Sequence, residues 1–434
     1  SAAYHLAGHL ATSLLGIPET AGEAEVRVAL RALVADLLGD PESNPAIELY
    51  ASLAHLLSLN VEPTVLQALQ AVEPEALQAR YLASLRRLIE GLAARRPIVL
   101  VMDDLHWADP SSLELLARLL PLVYTTPVLF CLAIRPDREV QGWKLITAAR
   151  ELLGSSLTEI HLEPLTDQDS RLLVANLLAI ESLPEEIRAL ILRKAEGNPY
   201  FVEEIIRMLI EGGAIVPSEH GWAAGADLGN TIIPDNLQGL LMARIDRLPE
   251  QDRRVLRVAS VVGRQFPVKV LEQVMQDSPH QQSGALGVLG SLENAGLVSL
   301  ARLEPELEYH FRHTLVQEAA YASLLLGDRR QLHLMVGQAV EKLYPDHLEE
   351  NAAMLAWHFY EADQAEQALH YYLLAGQAAL KRYANQEAEQ HYSQAMLLAP
   401  TERQRAELIA GLGLAISRQG RMQEAIQIWM EGVK

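Results

Sequence analysis

Ile98-Val99-Leu100-Val101-Met102-Asp103-Asp104-Leu105-His106-Trp107-Ala108-Asp109-Pro110-Ser111-Ser112 is the stretch that decides the fold of this chain. Its five leading apolar residues predict a short strand buried on both faces, as in a parallel sheet covered by helices. The strand ends in two adjacent carboxylates. Asp109 and Pro110 then supply a helix N-cap and a proline at the first helical position, and Leu113, Leu116 and Leu120 continue that helix. A carboxylate at the end of a central strand can hold Mg²⁺ through its waters. A second carboxylate beside it can polarise the nucleophile of a phosphoryl transfer. Two aspartates after a strand equally make a turn or cap a helix, and the strand and aspartates alone leave both readings open.

Outward from this stretch, Pro127 to Ile134 predicts a second buried strand, stopping at Arg135-Pro136. Cys131, the only cysteine, lies inside that run and reads as a small core residue. A third, shorter strand is expected at Leu157 to Leu162. Strands alternating with helices indicate a parallel α/β sheet. Residues 1–95 read as helices, with Leu6, Leu10, Leu14 and Leu15 on one face.

Beyond Leu165 the pattern turns helical. Thr166 caps one helix, Pro184-Glu185-Glu186 starts another that ends near Glu196-Gly197, and Pro199 opens a third closed by Gly212-Gly213. Val216 to Asn230 predicts a hairpin or loop. Residues 232–326 read as a winged helix. Asp235 is expected to cap its first helix. A ribbon of Leu297–Leu303 with Leu307–Arg312, across Glu304-Pro305-Glu306, forms the wing. Residues 327–434 are helical throughout. Gln386-Glu387-Ala388 and Gln423-Glu424-Ala425 lie 37 residues apart, near the roughly 34-residue tetratricopeptide period. Pro400 marks a helix-pair boundary.

The chain has 434 residues, enough for roughly three domains. Half of them are hydrophobic, which suffices for packed cores, and the formal net charge is -20. Such acidity repels phosphate backbones and anionic lipid, so no direct nucleic-acid binding is expected from this segment. The glutamates 304, 306 and 308 on the wing argue the same way. No apolar run reaches the ~18 residues of a membrane span. A single thiol suits a reducing, cytoplasmic setting.

The string from Ile98 to Ser112 closely resembles the Walker B segment of STAND proteins, signal-transduction ATPases with numerous domains, in their bacterial regulator branch. The resemblance covers nearly the whole chain, most specifically residues 97–136, 195–215 and 232–325. It implies a multidomain, mostly α protein with an α/β P-loop-NTPase-like core. Residues 1–163 would be a partial nucleotide-binding core, 164–231 a helical lid, 232–326 the winged helix and 327–434 tetratricopeptide-like repeats. By the same resemblance Asp103 is the Mg²⁺ ligand and Asp104 the catalytic acid-base position. Arg135 matches a sensor of the γ-phosphate. Gly197-Asn198-Pro199 resembles the G-x-P motif, whose proline, here Pro199, packs near the adenine. Tyr309 to Tyr321 resembles the winged-helix signature, and His313 matches the histidine that touches the ADP β-phosphate. His106 and Trp107 match the family string, and packing under the sheet edge explains them as well.

Nothing in the sequence fits G-x-x-x-x-G-K-[ST], so the backbone cradle of a P-loop is absent from these residues. Family order places it upstream of Ser1, and the repeat array is expected to continue past Lys434. The implied function is an ATP-dependent signal-transduction switch, binding ATP or ADP with Mg²⁺ and active as an ATPase in the intact protein. A protein partner is expected at the repeats, together with self-assembly. The competing reading is a non-catalytic scaffold with a degenerate nucleotide fold.

Overall fold

In the computed structural model the described residues are 3–18, 21–59, 74–135, 142–178, 185–218, 221–225, 233–276, 285–303, 306–399 and 401–432. The chain divides into two compact units. The first holds residues 1–158, 301–307 and 333–434, and the second 159–300 and 308–332. Pro400 and the wing tip Glu304-Pro305 lie outside the described residues.

In the first unit, helices His5–Leu14, Glu23–Leu38, Asn44–Leu56 and Pro74–Ala93 precede strand β1, Ile98–Met102. After a short 3₁₀ turn come helix Pro110–Leu119 and strand β2, Val128–Leu132. The two strands pair in parallel, with Val99 opposite Leu129 and Val101 opposite Cys131. Leu100 and Met102 are buried, and Met102 lines a small cavity together with Leu85, Leu115 and Leu116.

The opposite face departs from the sequence expectation. Val99, Val101 and Leu129 are 60%, 69% and 60% exposed, and Cys131 is exposed as well. Strands of a parallel sheet are dry on both faces only when helices cover both, and here the described residues cover one. The third expected strand is also not formed. Residues 157–166 carry no ladder, with Ile160 79% and Leu162 93% exposed. An apolar run becomes a strand only where a neighbour satisfies its amides and carbonyls.

The C-terminal part of this unit is a series of helices, Ala352–Glu361, Ala365–Lys381, Asn385–Leu398, Glu402–Arg418 and Met422–Glu431, each packed on the next. Small residues set the spacing. A Cβ on Gly411 would fall 2.4 Å from the Tyr392 ring, and one on Gly376 2.9 Å from the same ring.

The second unit begins with helices Asp167–Leu178, Glu185–Ala195 and Pro199–Glu211 and an antiparallel hairpin, Ile215–Ser218 with Gly221–Ala224. Thr166 Oγ1 accepts the Asp169 amide, the cap the sequence predicts. Val202, Ile205, Met208, Leu209 and Ile191 form its apolar core. Four further helices, from Leu237 to Asn294, then pack with a three-stranded sheet. Strand Glu308–Phe311 lies between Gln265–Pro267 and Val298–Arg302. Tyr309 and Phe311 are buried, whereas Glu308 and His310 are half-buried, as the alternation requires. The strand at Gln265 was not legible in the sequence. Nor was the helix cap: Asn236, not Asp235, accepts the Gly239 amide at 2.7 Å. Asp235 pairs instead with Lys194. Overall the molecule is mostly α, with small sheets, as expected.

Candidate functional site

The loop after β1 is held to β2 by the backbone. The Ala133 amide donates to the Met102 carbonyl at 2.9 Å, and the Leu105 amide donates to the Ala133 carbonyl at 3.1 Å. Asp103 and Asp104 lie between these two bonds. Burial of Leu105, 1% exposed, contributes roughly 1.5–3 kcal/mol toward fixing the loop. Asp104 adopts a left-handed backbone, φ 55° and ψ 34°, which costs a non-glycine residue about 1–3 kcal/mol. Its amide donates to Asp103 Oδ1 at 2.8 Å. Asp103 is exposed and Asp104 half-buried.

Behind the pair, His106 brings Nε2 to 3.9 Å from Asp104 Oδ1, with its side chain 7% exposed. Its ring also leans on Trp107, at 5.3 Å between centroids. An open cavity of about 850 Å³ lies against the uncovered face of β1, lined by His5, His9, Val99, Val101, Asp103 and Asp104 among others. His5 is held below the ordinary imidazole range, first by burial and then by His9. Arg135 follows the C-terminal end of β2 and is exposed.

The helix behind the loop starts as the sequence predicts. Asp109, 1% exposed, accepts the Ser112 amide at 2.8 Å. The same carboxylate accepts the amides of Tyr4 at 2.8 Å and Leu6 at 3.2 Å, and Ser112 Oγ accepts the Ala7 amide at 3.0 Å. The starts of two helices are thus tied at one carboxylate. Ser111, next along, donates to Glu387 through its amide at 2.8 Å and its hydroxyl at 2.7 Å. No sequence signal marks Glu387, because its partner is 276 residues away.

Pro199 and His313 belong to the second unit. Pro199 is exposed at the first turn of its helix, whose N-cap Asn198 accepts the Phe201 amide at 3.2 Å. Gly197 has φ 77°, and a Cβ there would meet the Leu165 carbonyl oxygen at 2.5 Å. The Leu165 amide donates to the Gly197 carbonyl at 2.8 Å. The glycine of the motif therefore has a full backbone reason to be there. His313 precedes helix Thr314–Ala322 without capping it by side chain. Its ring centroid lies 4.0 Å from that of Tyr200, the residue after Pro199. Burial, then Glu204, pushes the Tyr200 phenol well above its ordinary range.

Oxygen donors such as Asp103 and Asp104 suit a hard divalent cation. One Asp103 oxygen accepts the Asp104 amide, and the Asp103 side chain is exposed. Among the described residues no group of three or more His, Cys, Asp or Glu gathers as a metal cage.

Residues 5–131, which hold β1, its two terminal aspartates and most of β2, match the family described as AAA ATPase domain. That match overlaps one of the three stretches where the STAND-type resemblance is most specific, residues 97–136, and its class agrees with it. Residues 166–217 match a second family, described as a domain of unknown function (DUF8739). An uncharacterized protein of Rhizobium meliloti is 27% identical over 343 residues, covering 75% of this chain and 30% of the relative. Hybrid signal transduction histidine kinase G of Dictyostelium discoideum is 24% identical over 206 residues, covering 38% of this chain and 6% of the kinase. The peroxide stress-activated histidine kinase mak3 of Schizosaccharomyces pombe is 22% identical over 339 residues, covering 75% and 14%. The chain thus spans less than a third of the length of these relatives. Among solved structures, a STAND protein with a tetratricopeptide repeat sensor from Pyrococcus horikoshii superposes with TM-score 0.40 at 11% identity, over 94% of this chain and 62% of that one. No helix among the described residues is long and apolar enough to cross a membrane.

Proposed function

We propose that this chain is part of an ATP-dependent signal-transduction switch, in which nucleotide at the Asp103–Asp104 loop controls a conformational change passed to the helical parts. The observation that carries the reading is the two aspartates pinned between two backbone bonds at the C-terminal end of a parallel strand pair, inside the segment matching the AAA ATPase domain. Ligands of α/β sheets bind at that end of the strands. Asp103 would hold Mg²⁺, which would supply charge neutralisation on the phosphates. Asp104 would orient water or take its proton. Arg135 would read the γ-phosphate, Pro199 the adenine and His313 the ADP β-phosphate, as the STAND resemblance implies. Residues 164–231 act as a lid, 232–326 as a winged-helix arm and 327–434 as tetratricopeptide-like repeats that bind a protein partner and support self-assembly. The setting is cytoplasmic.

These residues carry no G-x-x-x-x-G-K-[ST] string, so a phosphate cradle has to come from outside them. Titration calorimetry with Mg-ATP tests this. Residues 1–434 alone are expected to bind weakly. A polypeptide that adds a P-loop should bind and hydrolyse ATP, and Asp103→Ala should abolish both. Unchanged binding in that variant would instead favour the non-catalytic scaffold.

A further inference from the structure

A charged carboxylate buried far from water is costly unless its oxygens are hydrogen-bonded. Glu387 is 2% exposed, on the repeat helix Asn385–Leu398. Both its oxygens go to one residue: Oε1 takes the Ser111 amide and Oε2 the Ser111 hydroxyl. Ser111 sits in the first turn of helix Pro110–Leu119, where amides lack partners within the helix. Pro110 has no amide hydrogen. The first two donors of that helix are therefore the amides of Ser111 and Ser112. Asp109 takes the second from within the loop, and Glu387 takes the first from the repeats. The partial positive charge of a helix N-terminus favours a carboxylate there. Ser111 is itself only 4% exposed, so without Glu387 its amide would be left buried and unpaired.

A second tether comes from the same stretch of repeats. The Arg382 guanidinium lies 5.8 Å from the centre of the Tyr4 ring and donates to the Leu56 carbonyl at 3.5 Å. Tyr4 is the residue whose amide Asp109 accepts. All of these residues belong to the first compact unit.

We propose that Glu387 is a positioning residue for the Asp103–Asp109 loop, through which the helical repeats hold the N-terminus of the Pro110 helix. The loop is fixed at one end by Ala133 and at the other by Asp109 and the first turn behind it. Withdrawing Glu387 loosens the second anchor while leaving the first in place. A partner that displaces the Asn385 helix thereby changes the order of the Asp103–Asp104 segment. That consequence for nucleotide rests on the function proposed above, but the tether itself does not.

Hydrogen–deuterium exchange of the 434-residue chain, without nucleotide, tests the tether and is blind to whether ATP binds. In Glu387→Ala the amides of residues 104–113 should exchange about ten-fold faster or more than in the unsubstituted chain. Glu387→Gln keeps an acceptor and should fall between the two. Phe359→Ala destabilises the repeats away from this contact and should leave residues 104–113 protected. If Glu387→Ala does not fold, Ser111→Ala removes the hydroxyl donor from the other side and should speed the same amides about three-fold or more. Unchanged exchange at residues 104–113 in a folded Glu387 or Ser111 variant overturns the proposal. An equal loss in Phe359→Ala does so too.

Discussion

The Asp109 carboxylate accepts the Tyr4 amide at 2.8 Å, joining the start of the first helix to the N-cap of the helix behind the Asp103–Asp104 loop. One buried side chain thus serves the amides of Tyr4, Leu6 and Ser112. Asp109→Ala removes a cap and strands three donors at once. A loss of about 2–4 kcal/mol is expected, read as a lower urea midpoint for the 434-residue chain. A loss under about 0.5 kcal/mol would contradict the shared-anchor geometry.

Gly197→Ala tests whether the motif glycine is structural. With φ 77° and the Leu165 oxygen 2.5 Å from the added Cβ, the substitution should cost about 1–3 kcal/mol. Thermal melting should detect it with no nucleotide present. An unchanged midpoint would mean the backbone tolerates the methyl group, and that the glycine serves something else.

His358 is fully buried beside His333, with their Nδ1 atoms 2.9 Å apart. Burial, and then His333, push His358 from the ordinary 6.5 down to about 3. The unfolded chain therefore takes up this proton first as pH falls. Stability is complete above about pH 6.5 and is lost progressively toward pH 3. Between pH 7 and pH 5 this one group should account for about 2 kcal/mol. Denaturant unfolding at the two pH values measures it, and His358→Phe should flatten the difference. A variant with the same pH slope as the unsubstituted chain would show that His358 is not the group responsible.

Cys131 distinguishes the folded sheet from the buried strand that its sequence suggests. It is exposed on the open face of β2, opposite Val101. A thiol reagent should modify it in the native chain within minutes, at a rate within about ten-fold of the denatured chain's. Protection that lasts until denaturant is added would mean this face is covered in solution.

The sequence by itself determined the elements whose causes are local. Asp109-Pro110 starts a helix because the cap and the fixed proline φ act within one turn. Gly197-Asn198-Pro199 stops one helix and starts the next for the same kind of reason. The runs 98–102 and 128–132 become neighbouring parallel strands, and Tyr309 and Phe311 turn inward by the two-residue period of a strand. Tertiary structure alone decided what depends on partners distant in sequence. Leu157 to Leu162 is apolar enough for a strand, yet lacks a ladder neighbour and stays open. Cys131 and Val101 look like core residues, yet burial depends on what packs above them, which no local pattern encodes. Glu387 reads as one more surface glutamate of a C-terminal helix. Only the fold brings Ser111 to it, and a hydrogen bond spanning 276 residues leaves no periodicity for a sequence to display.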